Sequence, residues 1–186
     1  MVSIGANSGI DIAQMILIFT ARQPKSCWKE TQVTNRHETT TNLSAMLEKY
    51  LDPHNDPRIY WAKEVTFDYA TAAPIRVDYM RFKPLNNSVS GIEKGDFYCY
   101  EVKSSVEDFH SKNGHNLIGD LNYYVMLAEI YEQLKSEIPY FAGVLCPGRF
   151  GLEIVKRARR KDRNRPVGEM LLMMWRSSRR EIVKIR

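Results

Sequence analysis

The sequence predicts an α/β domain in which a mixed β-sheet is flanked by helices, and two observations lead to this fold class. Three apolar runs with short connections lie between residues 60 and 103, and such runs predict an antiparallel three-strand meander. Residues 121–146 then read as strand, helix and strand. A helix between two neighbouring strands predicts a right-handed parallel crossover. With 186 residues, the chain is long enough to form one domain with a sizeable core.

The individual elements follow from apolar spacing and from turn or capping residues. Apolar residues recur at helical spacing from Glu38 to Leu51, and Asp52-Pro53 ends that run. Ser104 or Ser105 can cap a short helix that begins at Glu107, since acidic side chains favour a helix N-terminus. The predicted strands lie over 60–69, 75–80, 97–103, 121–127, 140–146 and 152–156, and a polar turn region lies over 84–95. A helix is predicted over 128–136, and a last helix begins at Pro166. The apolar stripe of the last helix consists of Val167, Met170, Leu171, Met174 and Trp175.

The two ends of the chain differ in character from its middle. Residues 1–36 show weak periodicity and several turn formers, so we expect an N-terminal extension followed by one domain over residues 37–186. The 3 cysteines are odd in number, far apart and without a C-x-x-C pair, which favours a cytoplasmic protein with reduced thiols. The apolar run over 10–19 is too short to span a bilayer, so we expect no membrane partner.

The C-terminal part of the chain carries a strong excess of positive charge. Residues 156–186 contain 12 Lys+Arg and 3 Asp+Glu, although the net charge of the whole chain is only +5. A basic end on a mildly acidic body indicates a polyanionic partner, most simply nucleic acid, and the alternative is a solvated helix face. The candidate phosphate contacts are Arg157, Arg159, Arg160 and Lys161.

Charged residues occur on two of the most apolar predicted strands. Asp78 lies on one strand, and Glu101 and Lys103 lie on the next. Side chains alternate along a strand, so Glu101 and Lys103 point to the same face and Val102 points into the sheet. Two carboxylates and an ammonium on adjacent strands would form a cage for a hard divalent cation, as metal-assisted phosphodiester cleavage requires. The alternatives are an ordinary ion pair of Glu101 with Lys103 and a strand-end cap at Asp78.

This order of elements and residues resembles the PD-(D/E)XK nuclease superfamily, which has the restriction-endonuclease-like fold. The first motif element is Val77-Asp78 instead of Pro-Asp, and the second is Glu101-Val102-Lys103. The segments 101–109, 140–144 and 151–154 look especially similar to a bacterial DNA-repair branch, the MmcB-like proteins. The resemblance extends from about Glu38 to the C-terminus. It implies a restriction-endonuclease-like mixed sheet, with a three-strand meander plus a parallel crossover, flanked by helices.

The resemblance also implies a catalytic metal site. Asp78 and Glu101 would bind Mg²⁺ or Mn²⁺ together with the backbone carbonyl of Val102, because magnesium prefers hard oxygen ligands. Lys103 would orient the attacking water or neutralise charge on the phosphate. Glu38 corresponds to an acidic residue that many superfamily members place on the first helix.

Three of these assignments compete with other interpretations. Glu48 and Glu64 are alternatives to Glu38 as the supporting acid. Ser104 is a candidate contact to a DNA phosphate, but helix capping explains it as well. Lys112 lies in the loop after the motif helix and is a candidate contact to DNA, but a lysine in a solvent-exposed loop needs no such role, and the two explanations fit about equally well.

The function expected from these observations is that of a Mg²⁺-dependent endodeoxyribonuclease acting in DNA repair or defence. The alternative is a non-catalytic nucleic-acid-binding module that keeps a nuclease-like scaffold. RNA is left open as a substrate, and so is a homodimer or another protein partner.

Overall fold

The computed structural model describes residues 36–111 and 114–184, with side chains as far as residue 181. These residues belong to one unit of the chain, Asn35–Arg186. Residues 1–35 of the predicted N-terminal extension lie outside the described residues, and Arg36 already belongs to the first helix.

Six strands and five helices form within the described residues. The strands are β1 (Tyr60–Phe67), β2 (Ile75–Lys83), β3 (Asp96–Val102), β4 (Leu121–Val125), β5 (Gly143–Gly148) and β6 (Gly151–Lys156). The helices are α1 (Arg36–Leu51), α2 (Val89–Glu93), α3 (Val106–His110), α4 (Ala128–Leu134) and α5 (Val167–Lys184).

All six strands form one mixed sheet in which neighbours in sequence are neighbours in space, in the order β1-β2-β3-β4-β5-β6. The first three strands pair antiparallel, which confirms the predicted meander. Strand β4 pairs parallel with both β3 and β5, as predicted for the two strands on either side of α4. Strand β6 returns antiparallel to β5. The predicted class, a mixed α/β domain with helices flanking the sheet, is therefore confirmed.

Helices cover both faces of the sheet. Leu43, Leu47 and Leu51 of α1 are buried against one face, in a cluster that includes Tyr100 and Val125. Their spacing of four residues places them on one side of the helix, which explains why a largely polar segment folds onto the sheet. On the opposite face, α5 covers β1 to β3 and α4 covers β4 and β5. Full burial of each leucine of α1 contributes about 2 kcal/mol relative to its exposure.

Two parts of the structure differ from the sequence-based predictions. Residues 84–95 contain the short helix α2, where a turn region was predicted, because the Ser88 hydroxyl accepts a hydrogen bond from the Gly91 N–H at 3.0 Å and caps the first turn. Trp175 is 62% exposed and does not belong to the buried stripe of α5, whereas Met170 and Met174 are buried as expected. The stripe is narrower than the sequence indicated because the sheet contacts only one side of the helix.

The chemistry of the described core agrees with reduced thiols. Cys99 and Cys146 are both buried and both free. Among the described helices, none is long and apolar enough to cross a membrane.

Candidate active site

Asp78 and Glu101 lie next to each other at one end of the sheet. Tyr79 pairs with Tyr100 across β2 and β3, and the same antiparallel register brings Asp78 opposite Glu101. Directly opposite residues in antiparallel strands have their side chains on the same face. The backbone N–H of Val102 also donates a hydrogen bond to Asp78 Oδ2 at 3.0 Å, which holds that carboxylate against β3. The tertiary structure therefore brings together the two acids that the sequence singled out.

Glu101 is a buried carboxyl group without hydrogen-bond partners. Its exposure is 0%, and neither Oε1 nor Oε2 has a partner among the described residues. Its register neighbour on β4, Tyr124, directs its hydroxyl to His115 Nδ1 at 2.8 Å instead. Burial and, after it, the charge of Asp78 together raise the pKa of Glu101 to about 9, although Lys103 and the nearby backbone of Asn116 lower it. Buried polar atoms without partners are rare and costly, so this carboxyl group requires an explanation.

The pKa of Asp78 is also raised, but less than that of Glu101. Burial raises its pKa, while the hydrogen bond from Val102 and the charges of Arg76 and Lys103 lower it. Both acids of the pair are therefore harder to ionise than usual when no cation is nearby. A positive charge placed between them would reverse that effect.

Lys103 lies directly after β3 and is only 2% exposed. Its backbone N–H donates to the Val125 carbonyl at 2.9 Å, and its Nζ donates to the Asp108 carbonyl at 3.2 Å. Burial lowers the pKa of Lys103, and the carboxylates of Asp108 and Glu101 raise it. The ammonium group is thus held in one place at the end of the sheet.

Gly114 leaves open the space beside both Glu101 and Lys103. A Cβ at this position would lie 2.8 Å from Lys103 Nζ and 3.0 Å from Glu101 Oε2. The residue also has a φ of +70°, in the left-handed region that side chains disfavour. Glycine therefore meets two requirements here, because it allows the backbone conformation and leaves room at the two charged groups.

The turn after β3 is organised by Asp108. Ser105 caps α3 by accepting a hydrogen bond from the Asp108 N–H at 3.1 Å. Asp108 Oδ2 accepts hydrogen bonds from the Ser104 backbone N–H at 3.0 Å and from the Ser104 hydroxyl at 3.2 Å. Arg36 at the start of α1 donates to Asp108 Oδ1 at 2.8 Å. Ser104 is buried and its hydroxyl is engaged locally, so the structure agrees with a role in the turn rather than with the predicted contact to DNA.

An open cleft of about 610 Å³ adjoins these residues. Three cationic side chains contribute to its walls, namely Arg36, Arg76 and Lys103, against the two acids Asp78 and Asp108. The remaining lining residues are Thr40, Thr66, Pro74, Val102, Gly114 and Asn116. This mixture suits an anionic substrate that approaches a pair of carboxylates.

Sequence reasoning missed several of the residues that line the cleft. Asp108 has no sequence signal beyond that of an acidic side chain at the start of a helix. Arg36 and Asn116 carry no local signal, since each enters the cleft from a segment far along the chain. Arg76 had a usable signal, because it lies two positions before Asp78 on the same strand.

The position of Glu38 differs from what the resemblance implies. Arg36 and Thr40 of α1 line the cleft, and Glu38 lies midway between them in sequence, which places it on the opposite side of the helix, exposed. Of the two alternatives, Glu64 lies between the paired residues Lys63–Tyr79 and Val65–Val77, near Asp78 but outside the ladder itself, and its charge raises the pKa of Asp78. The Glu64 carboxylate itself forms a 3.1 Å ion pair with Arg76.

The basic segment after β6 lies at the other end of the strands. Arg160 forms ion pairs with Asp96, the first residue of β3, and with Asp120, directly before β4. Lys161 Nζ donates to the Leu117 carbonyl at 2.6 Å. The cleft lies at the opposite ends of β3 and β4, about 20 Å from Arg160 along a seven-residue strand, whereas the Lys161 ammonium contacts Leu117, the residue after Asn116 of the cleft.

The other two candidates in this segment have fewer contacts. Arg157 and Arg159 are exposed, and the described contact is that of the Arg159 guanidinium with the Tyr140 ring at 6.0 Å. The structure thus places Arg157, Arg159 and Arg160 at the end of the sheet away from the cleft, and contact of all four basic candidates with nucleic acid stays a prediction. Lys112 lies outside the described residues.

Within residues 36–111 and 114–184, no group of three or more His, Cys, Asp or Glu side chains has the arrangement of a metal site. The candidate donor set is therefore two carboxylates, Asp78 and Glu101, with the Val102 carbonyl beside them.

No family model matches the chain, and no curated protein sequence matches it. Among solved structures, the chain is similar to the SPO1766 protein of unknown function from Silicibacter pomeroyi, with a TM-score of 0.53. The sequence identity is 17%, and the similarity covers 79% of this chain and 88% of that chain. At this identity the likeness concerns the fold alone.

Proposed function

We propose that the chain is a metal-dependent nuclease that hydrolyses DNA phosphodiester bonds. The observation that carries the proposal is the buried carboxyl group of Glu101, whose two oxygens lack hydrogen-bond partners while Asp78 lies opposite. A purely structural carboxylate at this depth would normally be hydrogen-bonded or paired. The proposal includes a restriction-endonuclease-like arrangement, supported by the meander, the parallel strand β4 and the position of Lys103 directly after β3.

The donor set fits Mg²⁺ or Mn²⁺. Magnesium is usually held by one or two carboxylates, and it keeps several waters or takes substrate phosphates for its other positions. Asp78 and Glu101 would supply the carboxylates, and the Val102 carbonyl would be a further hard oxygen. When bound, the cation supplies the positive charge that lowers the pKa of both carboxyl groups and of an attacking water.

The protein's own residues would orient the substrate and stabilise its charge. Lys103 is held by hydrogen bonds to Val125 and Asp108, so its ammonium requires little reorganisation before it meets the negative charge that develops on a phosphate. Arg36 and Arg76 line the open part of the cleft and are already paired with Asp108 and Glu64, so they would orient the phosphodiester backbone through hydrogen bonds rather than through unbalanced charge. The Val102 N–H fixes the direction of Asp78.

The alternative is a nucleic-acid-binding module without catalysis. Two observations favour it. The raised pKa of Glu101 keeps this group protonated at neutral pH in the absence of a cation. Within the described residues, the candidate metal site also contains two acidic side chains, and no group of three was found. Both functions would use the same cationic cleft, so DNA binding alone does not separate them.

Cleavage assays with matched variants separate the two functions. The wild-type protein is incubated with single-stranded, duplex and branched DNA, and with RNA of the same sequence, in Mg²⁺, Mn²⁺ or EDTA. Glu101→Gln and Lys103→Met each remove one charged group from the site. Glu129→Gln is the control, because it makes the same chemical change at an exposed position of α4.

We expect metal-dependent cutting by the wild type and by Glu129→Gln, and a loss of about 100-fold or more in the two site variants. Cutting that persists in Glu101→Gln would contradict the proposal. DNA binding without cutting by any of the proteins would support the binding module.

A further inference from the structure

A second cavity adjoins the candidate cleft along β1 and α5. Thr66 contributes to the wall of the cleft and also to this cavity of about 360 Å³. Its other walls carry positive charge and aromatic rings. They include Tyr69, Trp175, Arg176, Arg179 and Arg180. We call the last four residues, all on α5, the α5 surface.

A third cavity continues from the second one and is apolar. Trp175 lines both cavities, and the third has a volume of about 580 Å³. Tyr60 of β1 and Phe82 of β2, whose ring centres are 6.5 Å apart, contribute further rings to its wall, and Leu171 of α5 contributes an aliphatic side chain. The three cavities therefore form a series along the protein surface, from the carboxylates through a cationic groove to an aromatic one.

The positive charge of the α5 surface is not balanced by carboxylates. Arg176, Arg179 and Arg180 are exposed, and none of them forms an ion pair with an acidic side chain of the described residues. Arg180 donates instead to the Glu64 backbone carbonyl at 2.8 Å, and Arg176 stacks on Tyr69 with its guanidinium carbon 3.9 Å from the ring centre.

The basic segment after β6 provides a contrast. Arg160 and Arg163 both form ion pairs with Asp120, and Arg160 forms another with Asp96. Side chains that are already paired in this way have little charge to offer a ligand. The α5 surface keeps its charge and holds two of its arginines with carbonyl or ring contacts, as a polyanion-binding surface requires.

We propose that the α5 surface and the aromatic cavity hold a single strand of DNA beside the cleft. The three arginines contact backbone phosphates, and an unpaired base stacks on Trp175 at the entrance of the cavity that Tyr60 and Phe82 line. Aromatic stacking of this kind tolerates any sequence, since every base has a flat face. The bases of a duplex are stacked and paired, so they cannot enter the cavity without being extruded.

This inference rests on the proposed function in one respect, because it assigns the nuclease a single-stranded or locally unpaired substrate. DNA binding by the α5 surface is measured without cleavage. Binding of a short labelled oligonucleotide is followed by fluorescence anisotropy in EDTA, with the single strand and the matching duplex compared at several salt concentrations.

Three variants and one matched control test the surface. Trp175→Ala removes the stacking ring, and Trp175→Phe keeps a smaller ring. A double variant, Arg176→Gln with Arg179→Gln, removes two charges from the α5 surface. The control double variant, Lys49→Gln with Arg149→Gln, removes two charges from exposed positions on α1 and in the turn between β5 and β6.

We expect Trp175→Ala to weaken binding of the single strand by about 5- to 100-fold, with a smaller effect on the duplex and partial recovery in Trp175→Phe. The α5 double variant should lower the slope of log affinity against log salt by about 1.4, since each phosphate contact to a single strand contributes about 0.7. The control pair should leave the affinity and the slope close to those of the wild type.

Three results would overturn the inference: no binding of the single strand by the wild type, an affinity that Trp175→Ala leaves unchanged, or an equal effect of the α5 double variant and the control double variant. Far-UV circular dichroism verifies that each variant is folded. We expect folded variants because the substituted side chains are exposed. Normal cleavage with unchanged binding in the α5 variants would remove this inference and leave the nuclease. Weakened DNA binding in the α5 variants of a protein that cuts no DNA would support this inference and remove the nuclease.

Discussion

Replacing Glu101 by glutamine is expected to stabilise the metal-free protein. The pKa of the buried carboxyl group is about 9 in the folded protein, compared with an ordinary value of 4.5. At pH 7 the unfolded chain has therefore released this proton, while the folded protein retains it. The interval of about 2.5 pH units between 4.5 and 7 corresponds to at most about 3 kcal/mol of lost stability. Glutamine has nearly the same shape and no ionisable proton, so this cost disappears.

The advantage of Glu101→Gln should grow as the pH rises. Between about pH 4.5 and pH 9 the folded wild type binds more protons at this site than the unfolded chain, so its free energy of unfolding falls with increasing pH. Below pH 4.5 both states are protonated and the site has no effect on the slope. From pH 5 to pH 8 the difference between the two proteins should widen by at most about 4 kcal/mol. The raised pKa of Asp78 contributes a slope of the same sign in both proteins.

Urea unfolding at pH 5, 7 and 8 in EDTA measures this difference, with Glu129→Gln as the exposed control. The same titration in Mg²⁺ should raise the stability of the wild type by mass action and leave Glu101→Gln unchanged. Parallel pH dependences of wild type and variant, or a variant that is less stable at pH 8, would refute the reasoning. Either result would mean that the Glu101 carboxylate is satisfied within the folded protein, which removes the physical basis of the metal site.

Three further substitutions test the supports of the site and of the sheet. Gly114→Ala should reduce metal-dependent cleavage and lower the free energy of unfolding in urea by about 1 to 2 kcal/mol, because the residue has a positive φ and a Cβ would approach Lys103. The control Gly168→Ala, in open space on α5, should leave stability unchanged or raise it. Ser105→Ala should cost about 1 kcal/mol through loss of the α3 cap, and an unchanged unfolding midpoint would contradict this role. Asp120→Asn should cost about 3 kcal/mol, since it weakens a buried ion pair with Arg163, and a thermal shift near zero would argue against that estimate.

The sequence was sufficient for the elements whose signal is local. The meander was predictable because each strand is a short apolar run closed by turn residues, and α1 because its leucines recur on one side of a helix. The cap of α3 was narrowed to two serines, and Ser105 is the one that caps. The helix α2 was missed because its five residues include serine and glycine, and one capping contact outweighs their weak propensity.

The candidate site was only partly predictable for a related reason. Asp78, Glu101 and Lys103 stand out in sequence because charges on apolar strands are unusual, and their spacing fixes which of them share a face. The residues that surround them belong to distant segments, such as Arg36 of α1 and Asn116 of the loop before β4. Their approach to the cleft depends on how the helices pack on the sheet, which no local pattern encodes.

By itself, the sequence determined the class of the fold, the pair of carboxylates and the basic character of the C-terminal part. Only the tertiary structure decided which basic residues keep a free charge. Arg160 and Arg163 are adjacent to buried Asp120 and form ion pairs with it, whereas Arg176 and Arg179 are exposed on α5, and neither forms an ion pair within the described residues. Residues with the same formal charge therefore differ in the charge that they can offer a ligand, because the energy of a charge depends on neighbours that only folding brings to it.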